Sequence, residues 1–389
     1  MVIKGFLAIN IMPDGTTPKG LKYSDIVGYD KLDPFKEKAM ERAAATFGYT
    51  DRLGIRLLRE SVGLTAAVFE LDDMPCAYIA FGVEGLGTKN MVAEAMAEKE
   101  KIGKGVGIER RNLFAGIGKD NMAMALNDLG AVGAMPVAFS PIHASGDSGY
   151  FTDEDAVQGL LDGYDTGARA AGVAIPGGET PTLKGIVYQN TLDIAGGAWG
   201  IIRPKDRLVL GHGMEPGLTI YGLGSSGIHS NGLSLARRIV ENMANGYFHN
   251  LSSGLIFGRA LLKPTFIYTA IVEYLFDAGV DIRGMQPITG HGWAKIMRCR
   301  KQLRYVIDFV PEPQEEFVLM QEKGPVTDEE AYKTWNMGVG YVVFAPDKDS
   351  AKIKNVSREF GFEAYEMGHV VPGEREVVIA PKNIVYRPR

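Results

Sequence analysis

The sequence has few of the residues that build disulfide frameworks or zinc sites. Its 389 residues include two cysteines and six histidines, and Cys76 and Cys299 lie far apart, outside any C-x-x-C spacing. This usage excludes a disulfide scaffold and is typical of a protein in a reducing compartment. Both cysteines are therefore expected to be small buried side chains.

Long apolar runs and a strong excess of positive charge are also missing. No window approaches the ~18 uninterrupted apolar residues that a membrane-spanning helix needs, and Pro13, Asp14 and Gly15 interrupt the N-terminal stretch too early for a signal peptide. A formal net charge of -5 argues against a nucleic-acid or anionic-membrane surface. We therefore expect a cytoplasmic protein whose ligands are small molecules.

The residues that are present predict two mixed domains. Apolar residues make up 46% of a chain that is too long for one ordinary core. Helix and strand patterns alternate without low-complexity spacers, and glycine and proline in RPKDRLVLGHGMEPG predict a boundary near Pro204. The expected class is α/β (α+β), with an N-terminal domain over 1–204 and a C-terminal α/β domain over 205–389.

Local patterns predict where several elements lie. Good helix formers and amphipathic spacing predict helices over 36–47, 120–131 and 153–171 and a helix that starts at Leu233. Apolar, β-branched runs bounded by glycine or proline predict strands over 134–142, 172–175, 191–202 and 218–221.

The stretch GLGSSGIHSNGLSLARRI, residues 222–239, predicts an anion site at a helix start. Ser230 or Asn231 can cap the helix, whose first N–H groups have no internal partners and favour an anion. Glycines permit close approach of the backbone, and His229 could donate to a phosphate oxygen or move a proton. The alternative is a tight turn with an incidental histidine. The predicted phosphate seat comprises Ser225, Ser226, Gly227, Ser230 and Asn231.

Carboxylates and amides beside glycine form a second group of candidates. Hard oxygen ligands from several elements, completed by nucleotide phosphates, are how proteins usually hold Mg²⁺. For each acid alone, a helix cap or a solvated turn is the alternative. The candidates are Glu84, Gly85, Gly87, Thr88 and Lys89 in EGLGTK, Asp120 and Asn127 in GKDNMAMALND, Gly177, Gly178, Glu179 and Thr180 in PGGET, and Asp193 in LDIAGG.

Ordered motifs run from YSDIVGYD at Tyr23 to EAYEMGHV near the C-terminal side. Between them lie EGLGTK at 84–89, GKDNMAMALND at 118–128, ASG at 144–146, GGET at 177–180, LDIAG at 192–196, GSSGIHSNG at 224–232, LLKPT at 261–265, ITGHG at 288–292 and WNMGVG at 335–340. In this order they resemble the aminoimidazole ribonucleotide synthetases, also called phosphoribosylformylglycinamidine cyclo-ligases.

The resemblance implies a homodimer whose N-terminal halves pair in a β-barrel-like interface. It implies ATP-dependent ring closure of formylglycinamidine ribonucleotide to aminoimidazole ribonucleotide in de novo purine biosynthesis, through phosphorylation of the formyl amide oxygen. ATP and Mg²⁺ are the implied cofactors, without a nucleic-acid or membrane partner. Together with the residue patterns it suggests Glu84, Asp120 and Asp193 as metal ligands, His229, Asp120 and Lys89 as catalytic residues, and the glycine-rich segments with Asn127 as ATP or phosphate contacts.

Four positions depart from the family pattern. Glu84 replaces the loop aspartate, Pro141 an acidic residue, Ser24 a lysine, and His291 the middle glycine of I-T-G-G-G. His291 is either a substrate contact or a surface loop residue. Two alternatives therefore stand beside the cyclo-ligase: a related ATP-dependent small-molecule kinase or synthetase with another substrate, and a catalytically silent dimer that binds nucleotide.

Overall fold

In a computed structural model of the chain, the structure describes residues 20–26, 29–101 and 110–388. The stretch on which no signal peptide is predicted lies mostly in residues 1–19, outside the described residues. Within the described part of the chain, no helix is long and apolar enough to cross a membrane.

Helices and strands alternate along the described chain. The helices are α1 (Tyr29–Ala44), α2 (Lys89–Lys101), α3 (Arg110–Gly130), α4 (Glu154–Ala171), α5 (Leu233–Val240), α6 (Phe257–Leu261), α7 (Thr269–Asp277), α8 (Glu315–Lys323), α9 (Asp328–Thr334) and α10 (Ser350–Glu359). The strands are β1 (Ile55–Leu57), β2 (Ala67–Leu71), β3 (Tyr78–Gly85), β4 (Met135–Ser145), β5 (Leu192–Ile202), β6 (Thr219–Gly224), β7 (Gly284–Pro287), β8 (Leu303–Ile307), β9 (Val339–Ala345), β10 (Ala364–Pro372), β11 (Glu376–Ile379) and β12 (Ile384–Tyr386).

The first sheet is antiparallel and is covered by helices on one face. Its strand order is β1-β2-β3-β5-β4, and α3 packs on β3, β4 and β5, while α4 packs against α3. Almost every residue of α3 from Leu113 onward is buried. The opposite sheet face carries the exposed apolar side chains of Phe81, Val83 and Trp199.

The second sheet is mixed and is covered on both faces. Its order is β12-β11-β8-β10-β6-β9-β7, with β11 and β8 parallel and the other neighbours antiparallel. All of β9 is buried, and its side chains alternate between two apolar clusters, Val342 and Phe344 in one and Tyr341 and Val343 in the other. A strand buried on both faces reads as a continuous apolar run.

The predicted mixed α and β class with two domains agrees with these two sheets. The first sheet ends at Ile202 and the second begins at Thr219, and the boundary near Pro204 stays a prediction. Helix α4 and strand β5 lie within one residue of their predicted bounds, because Asp153 caps α4 through a hydrogen bond from Ala156 N and Pro204 follows the strand closely.

Several expectations were wrong in part, among them the helix predicted over 36–47, which spans Tyr29–Ala44. Helix α3 begins ten residues earlier than predicted, because a helix buried all round has no polar face to mark its extent. Residues 172–175 form no strand, and Ala174 makes only an isolated bridge to Ala138. Cys76 is exposed and Cys299 half-buried, although both are unpaired as expected.

Helices α3 and α4 cross through glycines, which generates a stability prediction. A Cβ added at Gly163 would lie 2.2 Å from Ala115 O and 2.9 Å from Gly118 Cα. Helix propensity alone favours alanine over glycine by about 1 kcal/mol, but overpacking of this kind costs about 1–3 kcal/mol. We expect Gly163→Ala to lower the free energy of unfolding in urea. The exposed Gln158→Ala on the same helix is the control, and a stabilised Gly163→Ala variant would contradict the close crossing.

Candidate active site between the two domains

A buried ion pair joins the helices of the first sheet to the second half of the chain. Nζ of Lys89 lies 2.8 Å from Oδ2 of Asp120, and both side chains are fully buried. Lys89 Nζ also donates to Lys263 O at 2.8 Å, and Asp120 Oδ1 accepts from Thr265 N at 2.7 Å and Thr265 Oγ1 at 2.5 Å. Burial lowers the pKa of Lys89, and the charge of Asp120 opposes that shift.

Asn127 fastens the same helix to the same segment. Its Nδ2 donates to Phe266 O at 2.7 Å, and its Oδ1 accepts from Tyr268 N at 2.7 Å. The seven-residue spacing from Asp120 places both side chains on one face of α3, as the helical pattern predicts. Because main-chain groups occupy both ends of the amide, Asn127 links α3 to residues 266–268. The predicted nucleotide contact is not available to it in this structure.

His229 lies inside the core rather than beside an open phosphate site. It adopts φ 58 and is 3% exposed, and its Nε2 accepts a hydrogen bond from Ser226 N at 3.3 Å. Burial, with a smaller contribution from Lys89, lowers its pKa to about 3, so the ring is neutral at physiological pH. The geometry gives His229 the task of holding the loop; the role of proton carrier stays a prediction without support from this position.

The loop around His229 differs in its capping from the expectation. The residue before α5 is Gly232, with φ 74 and no side-chain cap, so neither Ser230 nor Asn231 caps the helix. Ser230 Oγ lies 3.1 Å from Thr265 Oγ1 instead. Ser225 donates to Asn336 Oδ1 and Ser226 to Pro264 O.

An open cleft of about 840 Å³ lies at the junction of the two halves. Thr65, Glu84, Met124 and Asp128 line it from the first half. Asn231 and residues 289–291 with 294, 295, 297 and 298 line it from the second. Five cations face the cleft, together with one further acid, Glu329: they are Lys295, Arg298, Lys333, Arg375 and Arg387. The cleft therefore combines a small acidic centre with a basic wall.

The acidic centre is a hydrogen-bonded carboxyl pair formed by Glu84 and Asp128. Burial, followed by the negative charge and hydrogen bond of Asp128, raises the pKa of Glu84 to about 7. Burial also raises the pKa of Asp128, against the opposing charges of Lys295 and Arg298. Two carboxyl groups at hydrogen-bond distance share a proton more readily than both ionise. The pair therefore holds a proton near neutral pH.

Lys295 and Arg298 were not among the residues predicted from the sequence. They lie on and just after the 3₁₀ turn Gly292–Met297, where Lys295 donates to Thr289 Oγ1 and Arg298 Nη2 donates to Gly63 O at 3.1 Å. Their spacing of three residues directly after ITGHG is the signal that could have indicated them. Asp128 ends the GKDNMAMALND motif, and the sequence alone predicts no role for it.

His291 lines the same cleft. It is exposed and adopts φ 73, a left-handed conformation that glycine takes without steric cost. This explains why the family pattern has glycine at the position. In this chain an imidazole lines the cleft at this position.

The predicted metal ligands Glu84, Asp120 and Asp193 are not brought together. Asp120 is enclosed with Lys89, and Asp193 is exposed. Glu84 pairs with Gly196 between β3 and β5, so Asp193, three residues along the strand, projects from the opposite face of the sheet. Among the described residues, no group of three or more His, Cys, Asp or Glu side chains could hold a metal ion.

The Glu84–Asp128 pair nevertheless fits a Mg²⁺ site of another kind. Magnesium is usually bound through one or two carboxylates plus substrate phosphates. The raised pKa of Glu84 indicates that the surrounding residues supply too little positive charge to keep both carboxyl groups ionised. The donor set therefore suits a cation that arrives with a nucleotide.

The other predicted phosphate contacts lie outside the 840 Å³ cleft. Gly85 ends β3, and Gly87 and Thr88 lie in the turn that leads to α2. Thr88 Oγ1 lies 3.3 Å from Ser234 Oγ. Residues 177–180 line a separate cavity beside His143. Of the predicted site residues, the cleft brings together only Glu84 and Asn231.

Fold and site together define a two-domain mixed α/β protein with a cleft at the domain junction that five cations line. Residues 65–202 match the family model described as AIR synthase related protein, N-terminal domain, and residues 215–381 match its C-terminal domain. The chain belongs to the AIR synthase related protein family. This confirms the resemblance that the motifs indicate.

Two curated relatives illustrate the similarity. The phosphoribosylformylglycinamidine cyclo-ligase of Methanocaldococcus jannaschii is 36% identical over 296 residues, covering 76% of this chain and 78% of the relative. That of Methanothermobacter thermautotrophicus is 36% identical over 320 residues, covering 81% and 85%.

Solved structures share the fold at low identity. AaThiL complexed with AMPPCP and TMP has a TM-score of 0.56 at 14% identity, with 95% of this chain and 97% of that chain covered. The HypE-HypF complex has a TM-score of 0.56 at 16% identity, covering 84% and 93%. These likenesses support the fold.

The buried ion pair predicts an asymmetric response to mutation. Asp120→Ala leaves the Lys89 ammonium buried without a counter-charge, which costs about 3–5 kcal/mol, and we expect the free energy of unfolding in urea to fall by that amount. The double variant Lys89→Met, Asp120→Leu should recover most of the loss. Glu241→Ala, which removes a partly exposed partner of Arg238, is the control and should cost under about 1 kcal/mol. An equal, small cost for both acids would contradict the buried pair.

The carboxyl pair predicts that stability falls as pH rises. The pKa of Glu84 is 4.5 when unfolded and about 7 in the fold, so the folded state binds more protons between those values and loses stability across that window. A shift of this size corresponds to about 3 kcal/mol.

Glu84→Gln should therefore be more stable than the unsubstituted protein at pH 8 and nearly equal to it at pH 5. Urea unfolding at both pH values measures the difference, with the exposed Glu359→Gln as control. A variant that is less stable at pH 8 would show that the carboxyl group is not held protonated.

Proposed function

We propose that this protein is a phosphoribosylformylglycinamidine cyclo-ligase that closes the imidazole ring of aminoimidazole ribonucleotide with ATP. Two matched family domains and archaeal relatives of that name at 36% identity support the assignment. The observation in the structure that carries it is the cleft, in which a protonated carboxyl pair faces five cations. Such a cleft suits two phosphorylated ligands.

The reaction needs activation of a poor leaving oxygen. The formyl amide oxygen of formylglycinamidine ribonucleotide attacks the γ-phosphorus of ATP, and ADP leaves. The amidine nitrogen then attacks the activated carbon, inorganic phosphate leaves with the former amide oxygen, and a proton is lost from nitrogen. Catalysis of this type rests on positioning and charge stabilisation rather than on a covalent protein intermediate.

The basic wall supplies the charge stabilisation. Lys295 and Arg298 come from one turn, so their mutual position is fixed, and Arg298 also binds Gly63 O across the junction. Guanidinium groups bind phosphate in a bidentate manner, whereas an ammonium acts as a point charge. We assign Lys295 and Arg298 to the transferred phosphoryl group and the outer cations Lys333, Arg375 and Arg387 to the ribose phosphate or the ATP tail.

Glu84 and Asp128 would hold the magnesium ion that accompanies ATP. When bound, magnesium neutralises triphosphate charge and orients the phosphoryl group. The protein's own part is to keep the two carboxyl groups at the floor of the cleft, which α3 and β3 do from opposite sides of their packing contact. Asn231 lies at the same floor, with Nδ2 directed to Met124 Sδ.

The outer face of the first sheet supports the homodimer that the family resemblance implies. Phe81 pairs with Trp199 across β3 and β5, and these side chains are 46% and 42% exposed. Val83 and Ile142 extend the exposed apolar surface onto the same face. A contiguous apolar patch of this kind marks a protein interface, and pairing with a second copy would cover it.

The activity test uses purified full-length protein with ATP and Mg²⁺. We expect ADP release that requires formylglycinamidine ribonucleotide and formation of aminoimidazole ribonucleotide detected by mass spectrometry. ADP release with another phosphate acceptor only would instead assign a related kinase or synthetase, and ATP binding without turnover would assign a silent nucleotide-binding dimer.

The basic wall makes a sharper prediction within that assay. Lys295→Met removes a charged contact and should lower kcat/KM by about 10–100-fold. Lys354→Met, which removes a cation on α10 remote from the cleft, is the matched control and should leave the rate unchanged. Equal rates for both variants would contradict the role of Lys295.

The dimer proposal predicts a change of mass on mutation. Trp199→Asp places a charge in the apolar face and should convert a dimer to a monomer in sedimentation equilibrium. Phe309→Asp alters an exposed aromatic residue of 48% exposure outside this face and should leave the dimer intact. A monomeric unsubstituted protein would refute the proposal.

A further inference from the structure

A small cavity of about 40 Å³ adjoins the cleft where the two halves of the chain meet. It shares Leu64, Thr65 and Arg298 with the cleft. One water needs about 10–15 Å³ of such space, so the cavity has room for about three waters or for one molecule of the size of hydrogen peroxide. Cys299 lies on its wall, and the ring closure proposed above makes no use of this thiol.

Cys299 is half-buried and has cationic neighbours. Its Sγ lies 3.5 Å from a main-chain oxygen of the loop 211–214, and Arg298 and Arg300 flank it in the chain. Lys301 Nζ donates to two main-chain oxygens of the same loop. Partial exposure in cationic surroundings is typical of reactive cysteines, whereas fully buried structural cysteines are inert. Cys299 therefore combines the surroundings of a reactive thiol with an adjoining space of suitable size.

An amide donor without a partner lines the same cavity. Gln286 is 5% exposed, and its Nε2 has no hydrogen-bond partner among the described residues. On β7 it shares a face with Gly284, where an added Cβ would lie 2.7 Å from Met214 Sδ. Met214 also lines the cavity, so the amide of Gln286 is directed into this space. A buried donor without an acceptor is destabilising, and an acceptor in the cavity would remove that penalty.

A second donor lies beside the sulfur. Tyr305 is fully buried, and burial, followed by the charge and hydrogen bond of Cys299, raises its pKa. The phenol proton therefore stays on Oη. Sulfur is only a weak acceptor, and Oη has no oxygen or nitrogen partner in the described part of the chain. An oxygen atom bound to the sulfur would bring an acceptor into the space that both donors face.

We propose that Cys299 is a site of oxidation by hydrogen peroxide to sulfenic acid. The sulfur attacks one peroxide oxygen, so that an S–O bond forms and the O–O bond breaks. The other oxygen leaves as hydroxide and takes up the thiol proton, which gives water. The sulfur is oxidised by the electron pair that reduces the peroxide. Gln286 Nε2 and Tyr305 Oη donate to the new oxygen and stabilise the sulfenic acid, which a thiol reductant converts back to the thiol.

The oxidation reaches the cleft through Arg298. This residue directly precedes Cys299 and lines both the small cavity and the cleft. An oxygen on the sulfur, above all as sulfenate, attracts the guanidinium away from the transferred phosphoryl group. This consequence rests on the proposed function, whereas the oxidation itself does not.

The experiment treats the full-length protein with hydrogen peroxide, removes the excess with catalase and unfolds the chain in dimedone, which traps sulfenic acids. Mass spectrometry of chymotryptic peptides then locates the adduct. We expect the adduct at Cys299 in several-fold excess over Cys76, although Cys76 is the more exposed thiol. An adduct that forms mainly at Cys76, or equally at both thiols, would show that exposure alone controls oxidation and would overturn the proposal, as would the absence of any adduct.

Variants test the two donors. Gln286→Leu and Tyr305→Phe each remove a donor and nearly keep the size of the side chain, and each should lower the yield of the Cys299 adduct about fivefold. Gln158→Leu on the exposed face of α4 and Tyr221→Phe in β6 are the matched controls and should leave the yield unchanged. Equal yields in all four variants would contradict the role of the donors. Thermal unfolding checks that each variant is folded.

Activity separates this proposal from the proposed function. ADP release in the ring-closure assay should fall about tenfold on oxidation, as for the loss of one charged contact, and should return with dithiothreitol. Cys299→Ser should be insensitive to peroxide, and Cys76→Ser, the matched control, should respond like the unsubstituted protein. Full activity with Cys299 oxidised would overturn the link through Arg298. If the adduct forms at Cys299 in a protein that never closes the ring, the proposed function fails and the oxidation site stands.

Discussion

The arrangement of the candidate active site depends on an ion pair that has no access to water. The Lys89–Asp120 pair is buried together with Thr265, and two ions removed from water persist only when their geometry and hydrogen bonds are complete. The pair therefore fixes α2 and α3 against the segment 263–268. This contact is the joint between the two halves of the chain. Because it fixes their relative position, they can form a cleft of defined shape.

Helix α3 serves the joint and the cleft with different faces. Asp120 and Asn127, seven residues apart, contact the segment 263–268. Met124 and Asp128, four residues apart, line the cleft. Successive residues of a helix are rotated by about 100°. Asp128 therefore faces the cleft, whereas Asn127 faces the segment 263–268. Because α3 is buried on nearly all sides, the contacts that fix it at the joint also fix the position of Asp128 in the acidic centre.

Sequence patterns predicted the elements better than the roles of their residues. The bounds of α4 and β5 follow from local signals, a capping aspartate and flanking glycine, that act within a few residues. The role of Asp120 does not, because Lys89 and Thr265 lie 31 and 145 residues away in the chain and both offer groups that compete with a metal. The glycine-rich motifs therefore predict these carboxylates as metal ligands. In the fold, Asp120 forms the buried ion pair with Lys89, and Asp193 is exposed.

The basic wall of the cleft was missed for a related reason. Its cations come from the turn after ITGHG, from α9 and from residues that flank the C-terminal strands, and no short window contains more than two of them. A family motif reports residues that are close in sequence, whereas electrostatic potential depends on charges that are close in space.

The sign of charge separates two cavities of this chain. The cleft gathers cations around a protonated carboxyl pair, whereas the cavity that residues 177–180 line beside α4 has two acids on an apolar wall. We expect phosphate esters to be attracted by the first and repelled by the second, because both sites are partly enclosed and screening there is weak.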